Sequence, residues 1–183
     1  MKSDALGLIE LNSIAAGLQV ADAMLKAAQV ELVISRTICS GKYLIIVKGS
    51  VAAVRAAVDS GIDLAEGTVI DHCVIPRVHA DILPAVSGIN HLFEIKSLGI
   101  IESFSVGSLL EAADAAAKAA NVEIVEIRLA MALGGKAFVT LTGDISAVRA
   151  AVDVGAALVQ QKGLLVNKAV IAKPEPDLYR DYL

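Results

Sequence analysis

Tryptophan is absent from the chain, and its 183 residues contain only three Tyr and three Phe. So few rings offer little stacking surface to single-stranded nucleic acid. Cations are not in excess either: 16 Lys and Arg stand against 20 Asp and Glu, a formal charge of −4, which leaves no footprint for a polyanion. Cysteine occurs twice, as Cys39 and Cys73. The start, Met1-Lys2-Ser3-Asp4, lacks the pattern of a secretory signal, so a disulfide scaffold is not expected. Long apolar runs are missing as well. Residues 43–47 are stopped by Lys48 and 137–143 by Asp144, short of the roughly 18 residues a membrane helix needs. These absences lead us to expect a cytosolic, soluble protein that binds neither nucleic acid nor membrane.

What the chain does contain is aliphatic. Hydrophobic residues make up 56% of it, and the mean hydropathy is +0.67. Ala, Val, Leu and Ile carry this excess, which must be buried in aliphatic cores or against other subunits. An oligomer is therefore expected.

The sequence is written twice. Leu6-Gly7-Leu8-Ile9-Glu10 returns as Leu98-Gly99-Ile100-Ile101-Glu102, and the Ala-rich run from Ala21 to Glu31 returns from Ala113 to Glu123. Gly41-Lys42 returns as Gly135-Lys136, and Ala53-Val54-Arg55-Ala56-Ala57-Val58-Asp59 is repeated identically from Ala147 to Asp153. The register slips before Gly135 and again before Gly163, which places turns there. We expect two domains, residues 1–90 and 91–183.

Within a copy, residues 5–11 read as a short strand and 14–28 as a helix with Asp22 and Lys26 toward solvent. Residues 32–38 and 43–47 flank Ser40-Gly41 as a hairpin. Ser50, matched by Asp144, is a helix N-cap followed by a second Ala/Val helix. Residues 69–75 form the last strand, closed by Pro76. The order β-α-β-β-α-β predicts an α+β fold of the split βαβ, ferredoxin-like kind, with both helices on one face of a mixed sheet. Residues 80–96 join the copies, and the tail from Lys173 runs over the surface.

Little points to catalysis. Leu133-Gly134-Gly135-Lys136 is no phosphate loop, since Ser or Thr does not follow, and it suits a hairpin turn. His72 and Cys73 point to opposite faces of a strand. His79 and His91 have no metal-ligand spacing. Cys73 is matched by Ala169, as befits a packed position. No acid and base are brought together around a cleft, so an enzyme is not expected.

The runs at 21–30 and 113–122, the turn before Gly41, the Gly49-Ser50 and Gly143-Asp144 helix starts and Val74-Ile75-Pro76-Arg77-Val78-His79 resemble the bacterial microcompartment shell domain, in its non-permuted order, in both halves. Proteins of that family tile into shells that enclose enzymes. The resemblance therefore implies a homotrimer imitating a hexamer, a place in a microcompartment shell within the cytoplasm, and other shell proteins as partners. Thr37-Ile38-Cys39-Ser40-Gly41-Lys42 is similar to the pore loop of the T subtype of propanediol-utilisation shell proteins, which carries an iron–sulfur cluster on its three-fold axis. Ser40 stands where that loop often has proline, which would leave the loop looser.

A metal role for Cys39 follows from this resemblance, with a [4Fe–4S] cluster as cofactor, one per trimer. The cluster would serve electron transfer or be carried across the shell, with enclosed redox enzymes as partners. Three cysteines would leave one iron of a cubane to another ligand. A lone cysteine otherwise reads as a small core hydrophobe. The second copy has Met131, Ala132, Leu133 and Gly134 in the corresponding loop and no thiol. The other readings are a metabolite-conducting pore without a cluster and a trimeric small-molecule sensor of ferredoxin-like build. The resemblance also places Lys26, Lys118, Arg77 and Lys173 at tile edges, where a surface lysine is otherwise simply solvated.

Overall fold

The computed structural model describes residues 5–88 and 94–178; His91 and the first four residues lie outside them. The first repeat runs β1 (Ala5–Leu11), α1 (Ile14–Ala27), β2 (Glu31–Ile38), β3 (Lys42–Gly49), α2 (Val51–Ala65) and β4 (Val69–Pro76). A five-residue helix α3 (Ile82–Val86) follows. The second repeat runs β5 (Leu98–Ser103), α4 (Val106–Ala119), β6 (Val122–Arg128), β7 (Ala137–Gly143), α5 (Ile145–Gln161) and β8 (Leu165–Ile171), ending in a 3-10 turn at Pro176–Leu178. The α+β class and element order expected from the sequence are those observed. Contacts divide the chain into two compact units. Unit 1 is the chain through Val78 with Ser105–Ser108 and Ala130–Gly135; unit 2 is the remainder.

The expected mixed sheet is corrected. Each repeat forms a four-stranded sheet, in order β2-β3-β1-β4 and β6-β7-β5-β8, and every neighbouring pair is antiparallel. The reason is the split βαβ connection. β1 and β2 run the same way but β3 lies between them, and β1 likewise separates β3 from β4, so no parallel pair is ever adjacent.

Within unit 1, α1 and α2 pack on each other and on the sheet. The buried residues of α2 are Val54, Ala57, Val58, Gly61 and Ala65, a stripe at helical spacing. Ser13 and Ser50 cap α1 and α2, accepting the backbone N–H of Ala16 and Ala53, each at 3.3 Å. Asp144 occupies the cap position of α5 but makes no capping bond; its carboxylate lies 3.7 Å from Lys96 Nζ.

Helix and sheet approach so closely that β1 has no room for a side chain at Gly7. A Cβ there would stand 2.6 Å from Val54 Cγ1 and 2.8 Å from Val58 Cγ2. Unit 2 repeats the arrangement, with a Cβ on Gly99 falling 2.7 Å from both Val148 Cγ1 and Val152 Cγ2. A core of Val, Ala and Gly at these crossings explains why the protein packs with so few aromatics.

Candidate functional site

The β2–β3 hairpin closes through Cys39-Ser40-Gly41, with Ile38 paired to Lys42 across the turn. Ser40 and Gly41 have φ of 63° and 72°. Glycine reaches that left-handed region freely, whereas the proline ring is fixed near −65° and cannot. Ser40 thus adopts a left-handed turn conformation that a proline at this position could not take up. The base of the hairpin is anchored by Lys42 Nζ, 2.6 Å from Glu10 Oε1. A 2.9 Å hydrogen bond joins the hydroxyls of Ser35 and Tyr43.

Unit 1 also contains the segment Ala130–Gly135, which lies against this turn. Cys39 N–H donates to the Ala130 carbonyl at 2.9 Å, and Ala132 N–H donates to Cys39 Sγ at 2.9 Å. A Cβ on Gly135 would be 3.6 Å from Ser40 Oγ and 3.8 Å from the Cys39 carbonyl. Ala130, Ala132, Gly134 and Gly135 all have positive φ. Left-handed residues alternating with others turn successive N–H groups toward a common point, the geometry of an anion-binding nest. Two alanines in that region carry a cost of about 1–2 kcal/mol each, a departure that clusters at functional sites. The backbone N–H of Leu133 foremost, together with those of Ala132, Gly135 and Gly134, holds the Cys39 thiol below its ordinary pKa, outweighing the opposing effect of desolvation. The arrangement favours a thiolate at Cys39.

The remaining residues singled out from the sequence fall in different places. Thr37 is exposed and Ile38 buried; Met131 and Ala132 are exposed, and Leu133 is half-buried. Arg77 and Lys173 are exposed beyond the last strands. Lys26 lies 2.6 Å from Asp22 on an open helix face. Lys118 lies 2.5 Å from Asp114, whose carboxylate also accepts the His79 N–H at 2.8 Å. Cys73 is buried in β4, and its neighbour His72 is exposed, as the strand alternation requires.

Among the described residues no three His, Cys, Asp or Glu side chains gather where they could hold a metal ion. One chain thus supplies a single thiolate, and a cluster would need Cys39 from several copies. The donor fits such a centre: iron–sulfur clusters are ligated by thiolates, and hydrogen bonds to the sulfur tune their potential.

Several residues around the site escaped the sequence reading. Glu10 is fully buried, with Lys42 on one oxygen and the Val106 N–H, 3.0 Å away, on the other. Asp71, cross-strand from Glu10, accepts hydrogen bonds from Ser105 Oγ, Ser108 N–H at 3.0 Å and Ser108 Oγ at 2.8 Å. The available signal was recurrence: Glu10 and Lys42 return as Glu102 and Lys136, which also pair, at 2.7 Å.

The chain matches the family model described as the BMC domain twice, over residues 5–78 and 97–174. It is 43% identical over 178 residues to the bacterial microcompartment shell protein PduT of Citrobacter freundii, covering 97% of both chains. The bacterial microcompartment shell protein PduA of the same organism is 44% identical over 84 residues, 45% of this chain and 90% of that one. Among solved structures, a microcompartments protein from Desulfitobacterium hafniense superposes with a TM-score of 0.89 at 49% identity, covering 96% of this chain and 98% of that one. No helix among the described residues is long and apolar enough to cross a membrane.

Proposed function

The chain belongs to the bacterial microcompartment (BMC) shell protein family, and we propose that it forms a homotrimeric tile whose three Cys39 thiolates hold one [4Fe–4S] cluster in a central pore. Two BMC domains per chain make a trimer the counterpart of a six-domain ring. The observation that carries the cluster reading is the Cys39 sulfur, which accepts the Ala132 N–H at 2.9 Å inside a backbone nest. A nest that favours the thiolate prepares a ligand for iron. The repeat supports the stoichiometry, because the second copy has Met131 in the corresponding loop and no cysteine. Three thiolates, not six, would line the axis, with the exposed loop residues Ser40, Gly41, Met131 and Ala132 forming the pore mouth.

When bound, the cluster supplies a one-electron redox centre with one iron open to a further ligand. The tile's role is then structural, with electrons or the cluster itself passing between the enclosed space and the outside. Enclosed redox enzymes are the partners this implies. Lys26, Lys118, Arg77 and Lys173 meet neighbouring shell proteins at tile edges.

Anaerobic reconstitution with iron and sulfide tests this. The wild type is expected to turn brown with charge-transfer absorbance, and Cys39→Ser to stay colourless while sedimenting as the same trimer. A colourless wild-type trimer would leave the metabolite-conducting pore as the function.

A further inference from the structure

One of the two repeated helix starts is gripped by carboxylates, and among the described residues no such grip is found on the other. In unit 1 the first turn of α4, residues 105–108, is held by two carboxylates. Asp71 accepts from Ser105 and twice from Ser108, and Glu10 accepts the Val106 N–H. Free N–H groups at a helix start are well matched to anions. The equivalents of Glu10 and Asp71 in the second repeat are Glu102 and Asn167, which are likewise cross-strand partners. No hydrogen bond from a helix start to either is found among the described residues. Asn167 is exposed, and the Glu102 side chain is 28% exposed where that of Glu10 is fully buried.

The sheet face around them differs in the same sense. Leu6, Leu8, Leu44 and Ile46 are fully buried. Their counterparts Leu98, Ile100, Phe138 and Thr140 line, together with Glu102, an open cavity of about 310 Å³ in unit 2. The complementary half is also uncovered: Ile14 and Leu18 of α1 are 43% and 58% exposed, whereas their equivalents Val106 and Leu110 are fully buried. The molecule thus displays a helix start without a socket and a socket without a helix start, each the repeat-mate of a pair that unit 1 contains fitted together.

We propose that the first turn of α1 from a second copy of this chain docks onto Glu102 and Asn167, and that this junction is weaker than its intrachain counterpart. The contact is head-to-tail, a kind that forms a closed ring when the rotation between copies closes; the proposal rests on the trimeric reading above, which supplies that closure. Glu102 accepts the Ile14 N–H, and the Asn167 amide, whose Oδ1 already accepts the Lys168 N–H at 2.9 Å, donates through its Nδ2 to Ser13 Oγ. Three substitutions set the two junctions apart. Asn167 puts an amide NH₂ where Asp71 offers a second carboxylate oxygen, so the charge-assisted hydrogen bonds to that oxygen, roughly twice as strong as neutral ones, are lost. Ala16 lacks the hydroxyl of Ser108. Ala15 carries a methyl where Gly107 has none, and a Cβ on Gly107 would fall 2.8 Å from Asp71 Oδ2, so the second copy cannot approach as closely.

The test is subunit exchange between two differently labelled pools of the full chain. The triple variant Ala15→Gly, Ala16→Ser and Asn167→Asp restores the intrachain set. We expect it to tighten each junction about tenfold. Each departing subunit breaks two junctions, so exchange should slow on the order of a hundredfold. Glu102→Gln, with its thermal unfolding checked to confirm folding, should exchange faster. A wild-type trimer whose exchange is unchanged in both variants overturns the junction and leaves the trimer standing. A wild type that sediments as a monomer overturns the trimer, and the junction with it.

Discussion

Replacing Glu10 by Gln probes whether the base of the Cys39 hairpin is held by charge. The Glu10 side chain is fully buried and Lys42 only 17% exposed, with 2.6 Å between Nζ and Oε1; the other oxygen receives the Val106 N–H. Glutamine has nearly the same shape but only one acceptor oxygen. Whichever way its amide turns, an NH₂ group faces either the ammonium of Lys42 or the N–H of Val106. Removing one member of a buried pair costs about 3–5 kcal/mol, because the remaining charge is left uncompensated. The residual exposure of Lys42 lets its ammonium reach water, so the lower end, about 3 kcal/mol, is expected. For a chain of this length unfolding in one cooperative transition, that corresponds to about 6–12 °C in Tm. Glu31→Gln is the control. Glu31 pairs with Lys48 at 2.8 Å but is 69% exposed, and exposed pairs contribute about 0–1 kcal/mol. Thermal unfolding followed by circular dichroism reads both. Equal shifts for the two variants, or a rise in Tm for Glu10→Gln, would refute the reasoning.

Two other outcomes follow from the packing and the site. Gly7→Ala places a methyl 2.6 Å from Val54 Cγ1 and should cost about 1–3 kcal/mol by overpacking; urea denaturation checks this, and a neutral result would mean that α2 lifts freely from the sheet. In iron-free protein, iodoacetamide should modify Cys39 well before the buried Cys73. The Cys39 rate should rise with pH through a midpoint below that of an ordinary thiol, because the Leu133 N–H and its neighbours favour the thiolate. Peptide mass mapping reads the order, and prior labelling of Cys73 would contradict it.

The elements were legible because the sequence states them twice and their apolar spacing is regular. β1 spans Ala5–Leu11 as expected, and α1 stops within a residue of its expected end. The five residues of α3 were missed because so short a segment, with Pro84 inside it, shows no periodicity. The mixed sheet was an error of adjacency: element order does not say that β3 inserts between β1 and β2, which only the packed topology decides. At the site, Cys39 could be picked out by its loop, but the nest around it could not. Its donors come from Ala130–Gly135, more than ninety positions along the chain, and backbone N–H groups leave no mark in side-chain identity. Asp71 was hidden for a related reason, since its partners Ser105 and Ser108 become its neighbours only when the helix start reaches β4.

The central claim is that three chains share one cluster through Cys39, and counting iron against chains tests it most directly. In anaerobically purified and reconstituted protein, iron analysis with EPR of the reduced sample should give about four irons per three chains in a single paramagnetic centre, with both lost in Cys39→Ala. An iron-free trimer, or iron and signal that persist without the Cys39 thiol, would contradict the account.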